Sequence, residues 1–235
     1  MTMSPVQNAV LADVPAVGRY VFFTLVSPDM AQVRQSMVRL VAMPELEGEQ
    51  WVLVGLGPEL VQVFGAKVPG LRSFDALTGV GVSVPSTPSV MLCWLRGHDL
   101  GDLVHLTRHL QNALAPPRRM TQVVDAFRHN RGPNGHGRDL TGYEDGTENP
   151  QGDGAMAAAV LQAAGPGLAG SSFMAVQLRL QDFETFDAMT DQIQARRWSG
   201  GCAVWCLQAR QQCVFLVLAD TRRTPGLESP GPVSK

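Results

Sequence analysis

The chain has 235 residues, 45% of them apolar and 17% charged, with a formal net charge of −2. That is long enough for one large or two small domains with a buried core, and it excludes a disordered chain. The near-neutral balance gives no general attraction to nucleic acid or to an anionic membrane.

Met1 to Val17 has neither a basic start nor a long apolar run, so no signal peptide or twin-arginine leader is expected there. No apolar stretch reaches the roughly 18 residues of a membrane helix, and the expected location is the cytoplasm. Cys93, Cys202, Cys206 and Cys213 are expected to be free thiols, since their spacing fits no CxxC pair.

Gly18 to Val26 is β-branched and aromatic and predicts a strand. Ser27-Pro28-Asp29 then supplies an N-cap, a proline for the first helical position and an acid for the positive helix start. Met30, Val33, Met37, Leu40 and Val41 recur at helical spacing, predicting a helix that ends near Pro44. Trp51 to Gly57 predicts a second strand, and Pro58 to Phe64 a short helix. Gly- and Pro-rich sequence runs on to Pro88, and Val90 to Leu95 predicts a third strand. Asp99 or Asp102 caps the next helix, whose stripe is Leu103, Leu106, Leu110 and Leu114. Pro116-Pro117 ends it, and Met120 to Phe127 predicts a fourth strand.

The resulting order, β-α-β-β-α-β, is the ferredoxin-like arrangement, with helices on one face of an antiparallel sheet. The second half restarts it. Ser172 to Leu180 alternates Met174, Val176, Leu178 and Leu180 on one face, and Asp182 caps a helix carrying Phe183, Phe186, Met189 and Ile193. The expected class is therefore α+β with duplicated ferredoxin-like domains, 1–138 and 139–235, the second copy incomplete. CAVWC at 202–206 and CVFLVLA at 213–219 read as buried strands.

Between the halves, Arg128 to Gly154 is rich in Gly, Pro, Asn and charge. Its centre is Gly142-Tyr143-Glu144-Asp145-Gly146-Thr147-Glu148-Asn149-Pro150. Glycines there allow positive φ and close backbone approach to a flat ligand. Asp145, between Glu144 and Gly146, is a carboxylate that can be aimed. Cleaving the O–O bond of a peroxide needs a group that takes a proton from one oxygen and returns it to the other, and a nearby cation to stabilise the developing charge. Calcium is the rival reading of Asp145, Thr147, Asn149 and Asp153. Pro150 stands where an EF-hand needs Gly, and the twelfth-position Glu is missing.

The GYEDG segment and its continuation DGTENP resemble the GxxDG motif of the dye-decolorizing (DyP-type) haem peroxidases. VGLGPELV at 54–61, PGLRSF at 69–74, VPSTPSVMLCWLRGHDLGDLVHL at 84–106, DAFRHNRG at 125–132 and GPGLAGSSFMAVQLRLQDFETFDAM at 165–189 resemble the family in the same order, covering about residues 18–190. The resemblance implies two ferredoxin-like domains, haem b in the second, and oxidation of dyes, phenolics or similar small-molecule donors by hydrogen peroxide. It implies a homo-oligomer, a distal Asp and Arg of which the Asp is matched by Asp145, and a haem edge lined by Gly146, Thr147, Glu148 and Asn149. It also implies an axial His well after the motif. Here all five histidines, His98, His105, His109, His129 and His136, precede Asp145, so the iron ligand stays unassigned.

After about Gln194 the resemblance fades, and a truncated or altered C-terminus is the simplest expectation. A thiolate from the late cysteines is a weaker substitute, because they read as buried apolar residues. Arg222-Arg223 reads as solvated tail. Two alternatives to a working peroxidase follow: a haem-binding or iron-handling protein without turnover, and a non-enzymatic assembly-forming relative. His105 and His109, four apart on a helix, have the spacing of metal ligands, but lie off the leucine stripe and are expected to face solvent. His136, close in sequence to Asp145, is placed to approach a haem propionate.

Overall fold

The computed structural model describes residues 6–46, 52–79, 82–162, 167–194 and 206–217. Cys202, Trp51, Arg222 and Arg223 lie outside these residues, as do most of the CAVWC segment and the end of CVFLVLA.

Strands β1 (Val17–Leu25), β2 (Val52–Leu56), β5 (Met91–Gly97) and β6 (Arg118–Phe127) form the first four-stranded unit, in the order β6-β1-β5-β2. All its pairs are antiparallel, with Val21 opposite Cys93 and Val123, and Leu53 opposite Trp94. Helices α1 (Met30–Val41) and α3 (Leu100–Leu114) cross between strands as the β-α-β-β-α-β order requires. The decorating helix α2 spans Pro58–Val63, with proline in its first turn.

Period-two alternation sorts β1 and β5 onto two faces. Val21, Phe23, Met91, Cys93 and Leu95 meet Val33 and Leu40 of α1 and the α3 stripe of Leu103, Leu106, Leu110 and Leu114 in one core. Each fully buried leucine contributes about 1.5–3 kcal/mol relative to exposure. On the other face, Tyr20 stacks on Trp94 with ring centroids 5.4 Å apart. Arg96 lies over the same indole at 4.7 Å and donates to the carbonyls of Ala9 and Asp13, which fixes the segment before β1.

Three local expectations need correction. Asp29, not Ser27, caps α1: its carboxylate accepts from the amides of Ala31 at 2.9 Å and Gln32 at 3.3 Å, so the helix begins two residues later. Val41 is half exposed, and Ser36 is buried instead, accepting a hydrogen bond from Arg118. The helix after Asp182 is not continuous to Ile193: it breaks after Asp187 and helical structure resumes over 191–194. Helix α5 covers only Phe183–Asp187, and the backbone tightens so that Met189 donates to Phe186. The Gln194 side chain then satisfies the Phe186 carbonyl at 2.9 Å, stabilising the break.

Two elements in the Gly-rich regions were not anticipated: a hairpin of β3 (Leu77–Gly79) and β4 (Val82–Val84), and helix α4 (Asp153–Ala159). Strand β7 (Ser172–Gln181) pairs along its whole length with β8 (Cys206–Val217). This ladder joins the first unit at one backbone pair, Leu56 with Leu216, giving a single six-stranded sheet ending β2-β8-β7. Met174 and Val176 of β7 nevertheless pack against the cluster of Phe22 and Leu92, so β7 also covers part of the face opposite the helices.

Candidate active site

The segment after β6 is irregular but closely hydrogen-bonded. Arg131 bridges Gly137, and Arg138 bridges Glu144, each antiparallel. Two tight turns connect these pieces. In the first, Gly132 donates to His136 at 2.9 Å; in the second, Asp139 donates to Tyr143 at 3.0 Å. Gly135 and Gly142, at φ +85° and +89°, occupy the left-handed positions such turns require. The Asp145 amide donates to the Gly137 carbonyl at 2.8 Å, tying the motif back onto the first turn. The ring of Tyr143 meets Phe186 of α5 edge to face, with centroids 6.3 Å apart.

Asp145 is thereby held with its side chain exposed. One carboxylate oxygen accepts from the Gly146 amide at 2.7 Å; the other has no hydrogen-bond partner among the described residues. Gly146 has φ +78°, and a Cβ there would stand 2.9 Å from the Asn149 amide nitrogen. The positive φ favours glycine there, while the contact with the Asn149 side chain is one that a rotamer change relieves.

Asp145, Gly146 and Asn149 line an open cavity of about 620 Å³. Thr147 and Glu148 do not line it; both point into solvent beside it. Opposing them in chemistry are Arg128, Arg131 and Arg138, together with His129 and His136. Each of these arginines donates to a backbone carbonyl, of Val14, Gly135 and Gly142 respectively. None forms an ion pair among the described residues. Sequence reasoning named no arginine here, although Arg128 and Arg131 stand in the DAFRHNRG segment; a charged loop alone does not reveal which charges converge.

A family model for the C-terminal region of Dyp-type peroxidases matches residues 136–197. The dye-decolorizing peroxidase of Mycolicibacterium paratuberculosis is 27% identical over 157 residues, 67% of this chain and 41% of that protein. That of Rhodococcus erythropolis is 30% identical over 125 residues, 53% of this chain and 35% of that protein. DyPB from Rhodococcus jostii RHA1 superposes with a TM-score of 0.67 at 26% identity, over 80% of this chain and 62% of that structure. Over the matched residues this chain is similar to the DyP-type peroxidases. A DyP-type protein of Shewanella oneidensis, 20% identical, shares the fold with a TM-score of 0.71, over 82% of this chain and 64% of its own. The chain spans about two fifths of the length of the curated relatives it matches.

A Rhodococcus jostii DypB variant is known in complex with heme. The residues lining this cavity would fit haem in part. The arginines suit its propionates, and glycine at 146 permits close approach of a flat ring. No histidine follows Asp145, and His129 and His136 line the same cavity as Asp145. Cys206 and Cys213 lie on β8, and Cys93 is fully buried in the first core. An axial ligand is thus not assigned.

Proposed function

We propose that this chain acts as a haem-dependent peroxidase, using hydrogen peroxide to oxidise dyes, phenolics or similar small donors. The observation that carries the reading is the exposed Asp145 carboxylate, aimed by the Gly146 amide into a cavity that also holds three arginines. Haem b, when bound, supplies the one-electron oxidising chemistry. Asp145 accepts a proton from one peroxide oxygen and delivers it to the other. The arginines stabilise negative charge as the O–O bond breaks and anchor carboxylates at the cavity rim. Gly146 and Asn149 would border the haem edge, with Thr147 and Glu148 in the same turn.

In this reading residues 1–138 form a scaffold domain and 139–235 the haem-binding one. On the same reading the protein works in the cytoplasm as a homo-oligomer; among the described residues no helix is long and apolar enough to cross a membrane. A second reading is haem binding without efficient turnover.

Haemin titrated into the purified chain, followed by hydrogen peroxide and a dye, tests both. A stoichiometric Soret band that changes on peroxide addition, with dye turnover lowered roughly 100-fold or more by Asp145→Ala, supports the peroxidase. A stoichiometric band with no turnover supports the second reading. Failure of haemin to bind overturns both.

A further inference from the structure

The peroxidase reading leaves His98, His105 and His109 unused. They line a second concavity, of about 590 Å³, together with Glu45, Asp99 and Asp102. It lies between the first half of α3 and the single 3-10 turn Pro44–Leu46 that follows α1. Asp102, His105 and His109 are three and four residues apart, so they share one exposed face of α3. The adjoining face of α3 is anchored by Leu103, Leu106 and Leu110 in the core. Glu45 approaches from the other element: its carboxylate lies 2.7 Å from Nδ1 of His109, and both side chains are partly exposed. Asp99 is committed to the helix start, accepting from the amides of Gly101 and Asp102.

We propose that this concavity binds one divalent transition cation of the zinc class, ligated by His105, His109 and Glu45, with water completing the shell. Histidines at i and i+4 on a helix have Cβ atoms about 5–6 Å apart, a span that one ion bridges. Two imidazoles and one carboxylate suit zinc, cobalt or nickel better than calcium or magnesium. In the rotamers of this structure the ligands are not gathered: among the described residues no three such side chains stand close enough to hold an ion. The proposal requires His105 and His109 to turn toward the Glu45 carboxylate; both are exposed, where rotamer exchange is fast. The Glu45–His109 contact already brings an oxygen and a nitrogen donor together from two elements. A bound ion would clip α3 to the turn leading into β2. This inference is independent of the haem site.

Cobalt(II) is the probe, added to the full-length chain and followed by its visible absorption, with EDTA to reverse it. One cobalt per chain is expected, with the dissociation constant raised roughly tenfold or more by His105→Ala, His109→Ala and Glu45→Gln. His105→Ala is the discriminating variant, because His105 takes no part in the Glu45–His109 pair. Three results overturn the proposal: no saturable binding, binding unchanged in His105→Ala, or binding abolished by alkylating the thiols while the histidines are intact.

Discussion

Glu144 accepts the backbone amide hydrogen of Asn134 at 2.9 Å, across ten residues of chain, and closes the loop that carries Asp145. Gly132 leaves the room for it: a Cβ at 132 would lie 1.7 Å from the same carboxylate oxygen. Gly132→Ala therefore displaces Glu144 without touching the helix-packed core. The expected outcome is local, a loss of about 1 kcal/mol and roughly five-fold faster hydrogen exchange at the Asn134 amide. Thermal unfolding of the core stays near that of the parent. Unchanged exchange at Asn134 would mean that Glu144 does not hold the loop.

Asp29 and Asp99 each accept two amide hydrogens at the start of a helix. Replacing either with alanine is expected to cost about 1 kcal/mol in urea unfolding. They cap separate helices, so the double variant should show the sum to within about 0.5 kcal/mol.

Cys93 is fully buried, and burial pushes its thiol up to about 12. The folded thiol is raised above its unfolded value, so its contribution to stability is fully present below about pH 9. Above that the unfolded chain loses the proton first, and stability declines as pH rises toward 12. The slope from this group is at most about 1.4 kcal/mol per pH unit. Alkylation at pH 8 should leave Cys93 unmodified in the folded protein and label it after denaturation, as read by mass spectrometry.

Arg96 is buried against Trp94 and holds the carbonyls of Ala9 and Asp13. Arg96→Ala removes charge-assisted hydrogen bonds and a cation–π contact together, with an expected loss of about 3 kcal/mol. Limited proteolysis should then cut before β1, at sites protected in the parent. Arg96→Lys is expected to recover only part of this, since an ammonium cannot span both carbonyls with a planar fork.

The first unit was legible in the sequence because its signals are periodic and mutually consistent. The stripe Leu103, Leu106, Leu110, Leu114 and the alternation in β1 and β5 each admit one burial pattern. Ser27 was misread as a cap because Ser-Pro at a helix start is locally favourable; which side chain reaches the free amides is decided by the entry angle of the chain. The burial of Ser36 depends on Arg118, 82 residues away, and no local pattern encodes such a pair. Asp145 was visible as a carboxylate among glycines. The convergence of Arg128, Arg131 and Arg138 on its cavity comes from two successive turns, whose geometry composition does not specify. The break after Asp187 is tertiary in the same sense, stabilised by the Gln194 side chain.

The four strands and two long helices of the first unit lie wholly within Val17–Phe127. A growing polypeptide can therefore close that core while Asp145 is still unmade or inside the ribosome, so the loop that carries Asp145 emerges onto a finished platform. The later β7–β8 ladder, attached at the single pair Leu56–Leu216, has only to dock along an edge already waiting for it.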